Sequence, residues 1–264
     1  MPWVEANGVR LYVERAGEGP PLLYISGSGG DLRQRPNGFD QPFAARFDMV
    51  GYDQRGLGQS DRPALDGSSA WTMADYGDDA AAVLDWVGWD RAGVLGVSFG
   101  GMVAQELLVR HPDRVSHAVL ACTSSGGAGG ASYPLHELPA MAPAQRGATQ
   151  VAILDTRWAD PAFEDPLRDL MASGLALAAP DAGSAAQLEA RRHHDTWDRL
   201  ASVRCPVLVC AGRYDGIAPL GNAEALAARI PGAQLEVFEG GHAFMFQDGS
   251  AWGRMEQFLL RPTG

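Results

Sequence analysis

Short apolar runs separated by turn signals dominate the chain, and their spacing alternates between two periods. Val9 to Glu14 alternates apolar and polar residues and predicts an early strand at a sheet edge. Pro21-Leu22-Leu23-Tyr24-Ile25 is continuously apolar and ends in Ser26-Gly27-Ser28-Gly29-Gly30, which predicts a buried strand running into a loop. Phe47 to Tyr52 predicts another strand, followed by the turn-rich stretch Asp53-Gln54-Arg55-Gly56-Leu57-Gly58-Gln59-Ser60. Over 72–88 the period lengthens: Ala80, Val83, Leu84 and Val87 fall at helical spacing, with Thr72 placed to cap the start. A strand over Ala92 to Val97, a helix over Gly100 to Arg110 that stops before Pro112, and a strand over Val115 to Ala121 continue the rhythm.

Strands alternating with helices imply right-handed crossover units and a mostly parallel sheet covered on both faces. The alternation breaks from about 123 to 204, where Gly-rich and Pro/Ala-rich stretches accompany helical patterns without a clear strand. In 164–178, Leu167, Leu170, Met171 and Leu175 form one apolar stripe. The rhythm then resumes with a strand over Pro206 to Ala211, a helix over Asn222 to Arg229, a strand over Gln234 to Phe238 and a helix over Ser250 to Leu260. The expected organisation is a core split into 1–125 and 205–264 around a helical insertion, 126–204, without internal repeats.

Composition narrows the function more than the fold. The 264 residues suit one α/β domain carrying an insertion. A formal net charge of −11 repels phosphate backbones, and no basic stripe stands against it, so nucleic-acid binding is excluded as an expectation. Every basic residue is arginine; without lysine, Schiff-base chemistry is ruled out. Cys122, Cys205 and Cys210 lie in or beside strand-like runs and form no CxxC, so they read as small buried residues in a reducing compartment. The N-terminal Met1-Pro2-Trp3-Val4-Glu5 shows no basic segment followed by an apolar stretch, and no apolar run approaches the roughly 18 residues that span a membrane. The expectation is a soluble cytoplasmic protein whose partner is a small molecule, without nucleic acid or membrane; monomer and homo-oligomer are both compatible with it.

The chemistry concentrates in a few places. Gly96-Val97-Ser98-Phe99-Gly100 is the only G-x-S-x-G in the chain, and it lies between an apolar strand and an amphipathic helix. A nucleophile elbow needs that context: the serine occupies a strained strand-to-helix turn, and small neighbours let the two elements approach. The helix N-terminus also directs free N–H groups at a developing oxyanion. A serine hydroxyl needs a base. His111 ends a helix, His117 belongs to a strand, and His136, His193 and His194 lie in the insertion, on a solvated face or a pocket wall. His242 alone follows a late strand and a Glu239-Gly240-Gly241 loop at the carboxyl edge of the sheet, where ligands gather in open α/β folds. Asp215 emerges after the preceding strand, whereas the alternative position after Ala121 offers only Cys122-Thr123-Ser124-Ser125. Asp165, Asp195 and Asp198 read as helix caps and surface charges. The expected oxyanion donors are the amides of Phe99, after the nucleophile, and Ser28, in the Gly-rich loop. That loop lacks phosphate-cradle motifs, the Gly126-Gly127 and Gly129-Gly130 cluster reads as a hinge, and no His/Cys/Asp cluster has metal-ligand spacing, so neither cofactor nor metal is expected.

Taken together, the oxyanion loop at 26–30, Asp53–Ser60, the elbow at 96–100, Gly212-Arg213-Tyr214-Asp215 and Gly240-Gly241-His242 resemble the α/β-hydrolase superfamily, in its order and over essentially the whole chain. The sequence looks most like the branch of cofactor-free haloperoxidases (perhydrolases), 3-oxoadipate enol-lactonases and small-ester hydrolases. The resemblance implies an α/β-hydrolase fold with a mostly parallel eight-stranded sheet, a helical cap inserted after strand 6, and a structural role for Asp53 and Arg55. It implies a serine hydrolase of esters or lactones, with perhydrolysis or carbon–carbon bond hydrolysis on the same triad as alternatives, and a slow-turnover ligand-binding receptor as the rival of another class. Serine at the elbow, rather than aspartate, argues against haloalkane dehalogenases and epoxide hydrolases. The oxyanion loop departs from the usual His-Gly opening with Ser26-Gly27. Trp158, Phe163 and Met171, with Leu175 and Trp197, are the candidate pocket residues under the cap.

Overall fold

The computed structural model describes residues 2–62, 71–177 and 181–262, with side chains taken to residue 172 in the second stretch. Its centre is an eight-stranded sheet: β1 Trp3–Ala6, β2 Val9–Ala16, β3 Pro21–Ile25, β4 Asp48–Tyr52, β5 Ala92–Val97, β6 Val115–Ala121, β7 Val207–Gly212 and β8 Gln234–Phe238. Their order in space is β1-β2-β4-β3-β5-β6-β7-β8. The pairs β1/β2 and β2/β4 are antiparallel and the rest parallel. β2 is therefore not an edge strand: β1 covers its free side, pairing Val4 with Leu11 and Ala6 with Val9. Four residues are too few to announce a period, although Val4 and Ala6 are buried around exposed Glu5.

The central strands are apolar on both sides because helices cover both faces. Helix α1 (Met73–Val87), α2 (Phe99–Arg110) and α6 (Leu220–Arg229) bury Tyr76, Leu84, Phe99, Leu107 and Leu226 against one face. Short helix α7 (Phe244–Gln247) and α8 (Ala251–Leu259) pack Phe244, Met255 and Phe258 against the other, beside Phe43 and Phe47. α1 starts where its cap is placed: Thr72 accepts from the Asp75 N–H, Asp75 answers at the Thr72 N–H, and Gly88 closes the helix at φ 78°.

Between β6 and β7 lie α3 (Pro143–Leu154), α4 (Pro166–Leu177) and α5 (Ala182–Arg192), with short 3-10 turns and no strand among the described residues. α3 has no buried residue, and α4 packs on it as an outer layer. The apolar stripe of α4 is accordingly not a single buried face: Leu170 is 66% exposed while Met171 borders the main cavity. The Gly126–Gly130 run forms a 3-10 turn, with Trp197 packed against Gly129. Among the described residues no helix is long and apolar enough to cross a membrane.

Candidate active site

Ser98 ends β5 and caps α2 with φ 55° and ψ −114°, a backbone conformation that side chains rarely adopt. Two absent side chains make the turn possible. A β-carbon on Gly96 would run into the Gly100 carbonyl, and one on Gly100 into the Ile25 carbonyl at the end of β3. The Ser98 N–H donates to the Ala121 carbonyl at 2.8 Å, which ties the elbow to β6.

The structure brings the three expected residues into one chain of hydrogen bonds. His242 Nδ1 lies 2.7 Å from Asp215 Oδ2, and His242 Nε2 lies 2.9 Å from Ser98 Oγ. A carboxylate only accepts, so the proton sits on Nδ1; Nε2 is then the acceptor for the Ser98 hydroxyl. The other oxygen of Asp215 accepts the Ile217 and Ala218 N–H groups at 2.7 and 2.8 Å, which fixes the carboxylate in the plane the imidazole needs. The side chain of Asp215 is fully buried. Arg191, from α5, gives a nearby positive charge: burial lowers its pKa to about 10, against the opposing pull of Asp215.

The loop bearing His242 is held by the segment between β6 and β7. The His242 N–H donates to the Leu154 carbonyl at 2.5 Å, the Gly216 N–H to the Ile153 carbonyl at 3.0 Å, and the Thr156 N–H to the Tyr214 carbonyl at 2.9 Å. Residues 153–156 thus bridge the Asp215 and His242 loops. Gln247 adds a side-chain link, accepting from the Gly241 N–H at 2.7 Å and donating to buried Asp155 at 2.9 Å. Burial would raise the Asp155 carboxyl, but hydrogen bonds from Arg157 and Gln247 outweigh it and hold the pKa below the ordinary carboxylate value. Asp165, expected as a cap, does cap α4 at the Leu167 N–H, and it also accepts from the Trp158 indole and Gln247.

Phe99 opens α2, so its N–H has no carbonyl one turn back within the helix. The Ser28 N–H likewise has no acceptor among the described residues, and Gly27 and Ser28 border the same cavity as Ser98. That cavity, about 1260 Å³, lies between the carboxyl edge of the sheet and α3–α5. Leu138, Val151, Trp158, Met171, Ile217 and Met245 form much of its wall. Trp158 and Met171 are thus among the residues that border it. Phe163 is not: it borders a separate cleft with Glu164 and Gln247, its ring under the Arg157 guanidinium at 4.8 Å. Trp197 is also elsewhere, stacked beneath Arg229 at 5.3 Å, and the Leu175 side chain lies outside the described residues.

The remaining candidates resolve by burial. Asp53 accepts from the Leu32 and Gln59 N–H groups and Arg55 forms a buried bidentate pair with Asp79, so both serve the turn itself. Cys122 borders the cavity, yet burial, with the Asp215 charge adding to it, pushes its thiol well above the usual range and keeps it protonated. His111 caps α2 and meets Asp78 at 2.8 Å. His117 is buried against the edge of the Phe258 ring. His194 is neither on a solvated face nor on the cavity wall but buried, beside the Ser124 backbone. Among the described residues no three His, Cys, Asp or Glu side chains gather as metal ligands would.

A half-buried serine on a strand-to-helix turn, hydrogen-bonded through histidine to a buried carboxylate on an eight-stranded mostly parallel sheet, is the arrangement of a hydrolase. The chain belongs to the α/β-hydrolase family, whose model for the alpha/beta hydrolase fold matches residues 20–249. It is 32% identical over 222 aligned positions to a putative carbamate hydrolase, RutD, of Caulobacter sp. (strain K31), covering 77% of each chain. Over 275 aligned positions it is 32% identical to 2-hydroxymuconate semialdehyde hydrolase of Pseudomonas putida, covering 96% of this chain and 92% of the other. Among solved structures, a hydrolase from Pseudomonas aeruginosa PA01 is similar at a TM-score of 0.78 and 28% identity, covering 98% of this chain and 97% of that one.

Proposed function

We propose that this protein is a serine hydrolase that cleaves a carboxylic ester or lactone through an acyl-serine intermediate. The observation that carries the reading is the Ser98–His242–Asp215 chain, with contacts of 2.9 and 2.7 Å, opening on a largely apolar cavity. Ser98 Oγ attacks the carbonyl carbon as its proton passes to His242 Nε2. The Phe99 and Ser28 amides donate to the tetrahedral oxyanion, and Asp215 stabilises the imidazolium. The imidazolium then protonates the leaving alkoxide. In the second half, His242 takes a proton from water as the water attacks the acyl-serine; the acid leaves, and Ser98 regains its proton. For a lactone, the freed hydroxyl stays on the acyl chain, and deacylation releases a single hydroxy acid.

The helices between β6 and β7 act in this reading as a cap that shapes the substrate pocket, with Trp158 and Met171 as wall residues. The wall favours a small to medium, mainly apolar acyl group. A second reading, carbon–carbon bond hydrolysis on the same triad, draws support from the 32% identity to a semialdehyde hydrolase. The three unpaired, buried cysteines support a cytoplasmic location.

Brief treatment with a fluorophosphonate, followed by intact mass and peptide mapping, tests the reading. The expected result is one stoichiometric adduct on Ser98 that His242→Ala abolishes. Folded protein without an adduct overturns it in favour of a binding protein. With an adduct in hand, paired ester, lactone and 2-hydroxymuconate semialdehyde substrates separate the two hydrolytic readings.

A further inference from the structure

The oxyanion loop opens with Ser26-Gly27 and carries no large side chain to anchor itself. Two glutamines from elsewhere hold it. Gln54 Nε2 donates to the Ser26 carbonyl at 2.7 Å. Gln187 Oε1 accepts from the Gly29 N–H at 2.9 Å, and Gln187 Nε2 donates to Gln54 Oε1 at 3.2 Å. The backbone therefore enters the ring at Ser26, leaves it at Gly29, and Ser28 lies between. Each amide has one possible orientation. A carbonyl accepts only and an N–H donates only, so the contacts at Ser26 and Gly29 set which end of each glutamine faces the other, and those ends match. Both side chains are about 1% exposed, so a broken bond leaves a buried polar group without water.

Gln54 belongs to the Asp53–Ser60 turn and Gln187 to α5 of the insertion. One helical turn before Gln187, Gly183 lies so close to the Gly56 carbonyl that a β-carbon could not be added. α5 is thus seated on the turn at backbone contact, and Gln187 reaches from that seat to the loop. We infer that Gln187, acting with Gln54, is a positioning residue for the oxyanion hole, so that α5 takes part in transition-state stabilisation as well as enclosing substrate. The inference rests on the serine-hydrolase reading with Ser28 as an oxyanion donor. The chemistry of the ring separates its members: glutamate at 187 still accepts from Gly29 but sets an acceptor against Gln54, whereas leucine removes both bonds.

The test compares wild type, Gln187→Leu, Gln187→Glu, Gln54→Leu and the double Gln54→Leu/Gln187→Leu variant. Readouts are kcat and KM on a p-nitrophenyl ester, the affinity of a trifluoromethyl ketone that forms a tetrahedral serine adduct, and thermal unfolding. Loosening one donor should lower kcat by roughly 10- to 100-fold with KM nearly unchanged, and weaken the ketone by a similar factor. Gln187→Glu should be impaired despite its matching volume, and the double variant should be little worse than either leucine single, because the ring acts as a unit. If Gln187→Leu does not fold, Gln187→Glu decides. Folded variants with kcat and ketone affinity within about twofold of wild type, or with KM alone raised, overturn the inference. A wild type that forms no fluorophosphonate adduct overturns the hydrolase reading and this inference with it; an adduct with unaltered variants overturns this inference alone.

Discussion

Ser98 stores backbone strain at the point where chemistry is proposed. Its φ of 55° costs a non-glycine residue about 1–3 kcal/mol, and only the packing of β5, α2 and β3 around the elbow maintains it. Ser98→Gly should therefore remove turnover while raising stability by roughly 1 kcal/mol, read from the urea midpoint at constant slope. A destabilised glycine variant would show that the turn is not strained. His194 gives a second prediction, in pH. Burial, reinforced by the charge of Arg199, lowers its pKa to about 3, so the folded chain keeps it neutral where the unfolded chain protonates it at about 6.5. The unfolded state then binds the extra proton between those values, and stability falls as pH falls through that window, by about 1.4 kcal/mol per unit. His194→Gln should flatten the slope between pH 6 and 4.5, measured by denaturant unfolding at each pH, if about one proton is the difference.

At the scale of elements, the 153–156 segment works as a stitch between the Asp215 and His242 loops. Asp155 is its side-chain knot, holding Arg157 through two bonds at 2.9 and 2.6 Å and Gln247 through one. Asp155→Ala removes these bonds while Gln247 keeps a longer one to Asp165 at 3.3 Å and partly exposed Arg157 can turn to water, so it should destabilise by about 1–2 kcal/mol. It should also lower kcat more than KM, as Gln247, which sets Gly241, loses the shorter of its two tethers. Because the Asp155 pKa is depressed, its stabilisation is present above the ordinary carboxylate pKa and is lost as pH falls through the lowered one, so wild type and variant should converge in strong acid. This scale also separates what was legible in the sequence from what was not. β3, β5, β6 and β7 announce themselves as apolar runs, β8 by its alternation, and the elbow by its glycines, because local sterics dictate all three. β1 is too short to show a period, and α4 misleads because an outer helix over a cavity buries only part of its stripe. The links that matter most at Asp155, Gln187 and Gln247 give no local signal: Asp155 meets Gln247 across 92 positions and Gln187 meets Gln54 across 133, and only folding introduces them. Phe163 borders another cleft because an aromatic residue in a loop does not reveal by its type which way it turns.

For the molecule as a whole, a charge of −11 surrounds a cavity bordered by Arg146 and Arg168, neither of which has a carboxylate within ion-pair distance among the described residues. Long-range repulsion should slow the approach of an anionic substrate, and salt screens it beyond a Debye length of about 10 Å at 0.1 M. For an ester bearing a carboxylate, kcat/KM should rise with ionic strength while that for its neutral methyl ester stays flat. A fall instead would show that the two arginines outweigh the field of the whole surface. The hydrogen bond from His242 N–H to the Leu154 carbonyl reaches further than geometry. Anyone who exchanges the segment between β6 and β7 for another, in the hope of a new specificity, removes the acceptor that seats the histidine along with the pocket wall. A chimera cut near 126 and 204 should come out dead rather than retargeted, and useful libraries should vary α4 while leaving 153–157 in place.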